Sequence, residues 1–118
     1  MSYDIHLFDP ETQKVIQFDA PHELTGGTYA IGGTTEAWLN ITYNYAPHFR
    51  RVLGEEGIRS IYRKTGKAAI PILRKAISEL GDDTSPNYWK STEGNAKAAL
   101  KNLLELCKLA PHGILDGD

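Results

Sequence analysis

The residues best placed to exchange protons near neutral pH are the four histidines, His6, His22, His48 and His112. His22-Glu23 and His48 flank a glycine-rich stretch that contains Gly26-Gly27 and Gly32-Gly33, and Asp19 lies close by in sequence. General acid–base catalysis needs two such groups on one pocket. An enzyme or small-ligand binder using the glycine-rich loop with His22 and His48 is therefore one reading. No two histidines stand in a His-x-x-x-His or Glu-x-x-His pattern, so the spacing offers no metal site. Cys107 is the single cysteine and falls on the apolar side of a helical pattern, where a thiol packs as a small hydrophobe. No cofactor is expected.

Two phosphate-binding patterns fail on their details. Thr65-Gly66-Lys67 is followed by Ala68 rather than the hydroxyl residue that would hold magnesium, and the segment before it reads as helical. It is better read as a helix start. The paired glycines never form Gly-x-Gly-x-x-Gly between a strand and a helix.

A different set of side chains suits contact with another protein. Trp38, Asn40, Asn44, Tyr45, His48 and Tyr88, with Trp89 beside the last, combine large rings with hydrogen-bonding tips. Gathered on one surface, they would serve a protein partner. Trp38 and Trp89 could instead fill space between a sheet and its helices.

The elements that would position these residues follow from periodicity. Residues 3–8 alternate, with Tyr3, Ile5 and Leu7 on one side. Asp9-Pro10-Glu11-Thr12 reads as a turn, residues 14–18 alternate again, and the two segments predict an N-terminal β-hairpin. Residues 19–27 read as irregular, and 28–31 as a short β-prone piece. Residues 36–45 give a period of two, with Ala37, Leu39, Ile41, Tyr43 and Tyr45 on one face and Trp38, Asn40, Thr42 and Asn44 on the other. Pro47 can open a helix, which Gly54 and Gly57 stop. Ile58, Ile61 and Tyr62 suggest a further short helix. Residues 67–80 form a stronger one, with Gly81 as its cap and Pro71 as a misfit that forces a start near Ala68 or a bend. Ser91 or Thr92 can cap a last helix that carries Ala96, Ala99, Leu100, Leu103, Leu106, Cys107 and Ala110 in one stripe. Residues 114–118 read as a short acidic tail. Strands first and helices second predict an α+β fold, an N-terminal antiparallel β-sheet packed against C-terminal helices, over residues 1–118 as one domain.

Composition narrows the function classes. The chain has 118 residues, net charge −2 and 24% charged side chains, ordinary for a globular domain. Its basic residues fall in short groups rather than a stripe, which argues against nucleic acid, although Arg50, Arg51, Arg59, Arg63 and Lys64 on one face would suit a phage or mobile-element regulator. No apolar run approaches the ~20 residues that span a membrane. One cysteine and a start without a signal-peptide pattern point to the cytoplasm.

The stretch Gly26-Gly27-Thr28-Tyr29-Ala30-Ile31-Gly32-Gly33-Thr34-Thr35-Glu36-Ala37-Trp38-Leu39-Asn40, with Glu93-Gly94-Asn95-Ala96-Lys97-Ala98-Ala99-Leu100 further on, resembles small bacterial immunity proteins encoded beside polymorphic or contact-dependent toxins. The resemblance implies a cytosolic protein whose partner is a cognate toxin domain that it binds and neutralises. It implies no particular functional residues. A net charge of only −2 does not suit a strongly electrostatic mode of inhibition.

Overall fold

The structure is a computed structural model that describes residues 1–27 and 33–118; the β-prone piece expected at 28–31 lies outside the described residues. The chain forms an α+β fold. Strands β1 (Ser2–Phe8), β2 (Gln17–His22), β3 (Thr34–Glu36) and β4 (Trp38–Thr42) come first. Helices α1 (Ala46–Leu53), α2 (Gly66–Ser78) and α3 (Glu93–Leu109) follow, and the chain returns to strand in β5 (Ile114–Gly117).

β1 is the middle strand of a three-stranded sheet ordered β4-β1-β5, antiparallel on both sides. Its alternation works as the pattern implies. Tyr3, Ile5 and Leu7 are buried, and Leu39 and Ile41 of β4 and Leu115 of β5 join them on the inner face. α2 and α3 pack on each other and close this face. The stripe expected on the last helix is buried throughout, from Ala96 to Ala110. Each fully buried leucine there contributes about 1.5–3 kcal/mol over an exposed one.

The expected hairpin is reduced to a remnant. The bridge Phe8↔Val15 and the bonds from Ile16 N to Leu7 O and from Asp9 N to Lys14 O are what remains of it. Beyond them the chain leaves the sheet, and β2 pairs with β3 instead. Both sides of β1 are taken by β4 and β5, so β2 has no strand position there. Part of the stretch read as irregular, residues 19–22, belongs to β2, and Pro21 is tolerated because β2 lies in a two-stranded sheet with a free side.

The long strand expected over 36–45 also breaks. Ala37 interrupts it, and after Thr42 the chain turns into a 3-10 turn at Tyr43–Tyr45. Thr42 Oγ1 accepts from Asn44 N at 3.3 Å and caps that turn, and Pro47 sits in the first turn of α1. Asn44 therefore does not share a strand face with Trp38.

Thr65-Gly66-Lys67 is a helix start: Thr65 Oγ1 accepts from Ala68 N at 3.0 Å. Pro71 lies inside α2 and is exposed, costing one helical bond. α2 ends at Ser78, ahead of Gly81, whose N–H turns to Glu93 Oε1 at 3.2 Å. The acidic tail is β5. Four residues with one inward leucine are too short to show a period.

Chain segments lie along part of both edges of the three-stranded sheet. Thr42 N donates to Gly26 O at 3.0 Å beside β4. Residues 63–66 run antiparallel to β5, with the bridge Thr65↔Ile114 and the bond from Gly66 N to Gly113 O. Capped edges resist pairing with other chains.

Candidate functional site

Four of the six expected contact residues meet at one place, the loop of residues 81–92 between α2 and α3. Asn44 Nδ2 donates to Trp89 O at 2.8 Å. The Tyr45 hydroxyl donates to the carbonyl of Tyr88. His48 Nε2 donates to Ser91 O at 3.2 Å. From the other side Asn95, on the first turn of α3, accepts from Ser85 N at 3.1 Å and donates to Asn87 O at 3.2 Å and Lys90 O at 3.0 Å. Asn87 Oδ1 in turn accepts from Trp89 N at 3.2 Å.

The loop also lies directly on the start of α3. A β-carbon at Gly94 would meet Thr84 N at 2.6 Å and Asp83 C at 2.7 Å, so only glycine lets the backbones approach this closely. Asp83 Oδ1 accepts from Gly94 N at 3.2 Å. Lys97 pairs with Asp82 at 2.7 Å, but Asp82 is open to water and the pair adds little.

Held this way, the loop turns its rings outward. Tyr88 and Trp89 are 42% and 41% exposed, with ring centroids 5.8 Å apart. Asn44, Tyr45 and His48 hold its backbone, Tyr45 from the core and Asn44 from the surface. Tyr45 is 1% exposed and cannot touch a partner, which corrects its expected place among the contact residues: burial raises its hydroxyl pKa, and the proton that stays on is the one Tyr88 accepts. Asn95 was absent from the expected set. An asparagine on the buried side of an apolar helix, three residues after a threonine cap, was the available signal.

Trp38 and Asn40 lie elsewhere, on the outer face of the three-stranded sheet. Trp38 Nε1 donates to Asp4 Oδ1 at 3.1 Å, and Asn40 Nδ2 donates to the same oxygen at 2.7 Å and to Ser2 Oγ at 2.9 Å. Trp38 is half-buried rather than part of the core. His6, between Trp38 on β4 and Asp116 on β5, continues this face.

His22 is engaged by backbone at both ring nitrogens. His22 Nδ1 accepts from Leu24 N at 3.2 Å, so Nε2 carries the proton and donates to Glu36 O at 2.7 Å. Both nitrogens are engaged by backbone, which leaves neither for a substrate. Among the described residues no group of three or more His, Cys, Asp or Glu is arranged to hold a metal ion. Cys107 is buried, and burial pushes its thiol up to about 12. Two of the basic residues are already engaged: Arg51 pairs with Glu93, while Arg59 lies over the rings of Tyr3 and Tyr43 at 5.0 and 5.8 Å and donates to Asp118 O at 2.9 Å.

A groove of about 470 Å³ opens where the 9–13 turn, the 62–64 connection and β5 meet. Its apolar lining is Phe8, Pro10 and Ile114, and Phe8 and Ile114 are cross-strand neighbours. Gln13, Arg63, Asp9 and Asp116 supply polar groups. Asp9 Oδ1 accepts from the N–H groups of Glu11 and Thr12 at 2.8 and 3.0 Å, and these bonds hold its carboxyl below the usual range.

The sequence matches no protein-family model, and neither the curated proteins nor the solved structures contain a match to it. No helix among the described residues is long and apolar enough to cross a membrane.

Proposed function

We propose that this protein acts by binding another protein, as an immunity protein that seats on a cognate toxin domain in the cytoplasm and neutralises it, with Tyr88 and Trp89 as the anchoring side chains. The observation that carries this reading is the fixed aromatic pair. Two large rings stay partly exposed, at 42% and 41%, while Asn44, Tyr45, His48 and Asn95 fix the backbone that bears them. Rings presented on a backbone already ordered lose little conformational entropy on binding, and buried aromatic anchors supply most of the affinity of such interfaces. Asn44, Tyr45 and His48 are positioning residues, and Trp38 and Asn40 form a separate outer-face cluster that a large partner could also cover.

The resemblance to immunity proteins names the partner class, and the engagement of both His22 nitrogens by backbone favours binding over a catalytic use of His22. Neutralisation would consist of covering the toxin's active site or holding it from substrate.

The test is to sequence the neighbouring gene, co-express the toxin domain that this reading expects there, and titrate the purified proteins by calorimetry. Trp89→Ala, checked for folding by circular dichroism, should weaken binding by about thirtyfold or more, the usual cost of a central aromatic. If the folded variant binds as wild type does, the loop is not the interface. If wild type neither binds nor protects, the immunity reading is wrong.

A further inference from the structure

Among the described residues, two that are not glycine adopt a left-handed backbone: Gln13 at φ 61° and Arg63 at φ 72°. Both line the groove beside Phe8 and Ile114. Their hydrogen bonding is the same. Gln13 N donates to Asp9 O at 2.8 Å while Asp9 N donates to Lys14 O at 2.8 Å. Arg63 N donates to Leu115 O at 2.6 Å while Leu115 N donates to Lys64 O at 2.9 Å. In each case two residues oppose one, and the first of the two is left-handed. That is the β-bulge whose first position is ordinarily glycine.

Glycine adopts this conformation without the clash a β-carbon brings. At both bulges the chain instead carries a long polar side chain, and both residues line the same groove. Leu115, opposite Arg63, points into the core. In a regular antiparallel pair Arg63 would point inward with it, and the bulge re-aims it outward. Its guanidinium has no ion pair or side-chain hydrogen bond among the described residues, although Asp9 and Asp116 line the same groove. A cation, two carboxylates, an amide and an apolar floor thus share one concavity of a size suited to a small ligand.

We propose that this groove binds a short zwitterionic peptide with apolar side chains, its carboxylate on Arg63, its ammonium on Asp116, its amide on Gln13 and a side chain against Phe8 and Ile114. The matching of each polar group selects the class: a simple organic anion would face Asp9 and Asp116 unpaired, and a simple cation would face Arg63. Strained backbone concentrates where side-chain placement matters more than local stability. This site shares no residue with the aromatic loop, and its test is independent of the toxin.

The probe is the dipeptide leucyl-leucine, titrated into the full chain and followed by calorimetry and amide chemical shifts. Saturable binding in the millimolar range or tighter is expected, with shifts at residues 8–13, 63 and 114–116. Amidating the dipeptide's carboxylate, or replacing Arg63 by glycine, should each weaken binding by about tenfold or more, the size expected when a hydrogen-bonded charge is removed. Asp116→Asn should weaken binding of the free dipeptide while leaving its N-acetylated form unaffected. Arg63→Gly and Gln13→Gly should both keep or raise the thermal midpoint, because glycine relieves the left-handed backbone. A structural role for the two side chains would give the reverse. No saturable binding of leucyl-leucine, unchanged affinity in Arg63→Gly, or lower midpoints in both glycine variants would overturn the proposal.

Discussion

Asn44 and Trp89 are joined by a side-chain-to-backbone hydrogen bond of 2.8 Å across 45 positions of sequence. With Tyr45 and His48 beside it, one short turn after β4 holds the whole middle of the loop between α2 and α3. The loop's aromatic side chains are thereby separated in role from the polar side chains near them: the first face solvent and the second fix the backbone.

Tyr45→Phe should test that division. Removing the hydroxyl leaves the ring in the core and the Tyr88 carbonyl without its donor. A loss of about 0.5–1.5 kcal/mol in chemical denaturation is expected. Affinity for the partner should fall although no contact atom has changed. Equal affinity would mean that the loop keeps its shape without this bond.

Asn95→Ala removes three hydrogen bonds to the loop at once, from Ser85, Asn87 and Lys90. The expected cost is about 1–3 kcal/mol, since a mostly buried position loses its partners. Limited proteolysis should then cut within 82–92 faster than in wild type. An unchanged cleavage pattern would show that the α1 side alone holds the loop.

Leu103→Ala tests the core. Leu103 is fully buried on α3, and truncation should destabilise by about 2–5 kcal/mol. A loss below about 1 kcal/mol in urea unfolding would contradict the packing of this helix.

Cys107 makes a pH prediction with a definite sign. Burial raises its thiol from 9.0 to about 12 in the folded chain. The folded state therefore holds the proton more tightly than the unfolded state. Its contribution is fully present below pH 9 and is lost as pH rises from 9 toward 12. Cys107→Ala should flatten stability across that window, read from denaturation midpoints at stepped pH. Thiol reagents should label native protein slowly and unfolded protein fast. Rapid native labelling would show that the helix face opens to solvent.

Much of this fold was legible wherever a long period met a cap. The α3 stripe with Thr92, the alternation of β1 and the helix start at Thr65 all read correctly, because each repeats over enough residues to outweigh local accidents. What failed was pairing. Nothing local in residues 14–18 says that the strand sites beside β1 belong to segments far along the chain. Residues 43–45 continue a strand-like alternation, yet a single threonine hydroxyl bends them into a 3-10 turn. The candidate site was partly legible because residue types suited to interfaces were present. Which of them touch solvent and which hold the backbone depends on the loop's path, and that path is set by Asn95 and Gly94 across a gap in sequence that periodicity does not cross.

The placement of β1 also sets a timetable. Its neighbour on one side is β4, and on the other it is β5; Asp4 and Asp118, bonded at 2.8 Å, lie 114 positions apart. The central strand cannot acquire its second partner until the last residues described have emerged from the ribosome. Until then one side of β1 presents open N–H and C=O groups, while α2 and α3, rich in local contacts, can already form and pair. The pairing of β1 with β5 is therefore expected to close after α2 and α3 can form, although β1 begins the described strands. A newly made chain is then expected to pass through a stage in which the β5 side of β1 is open to pairing with other chains.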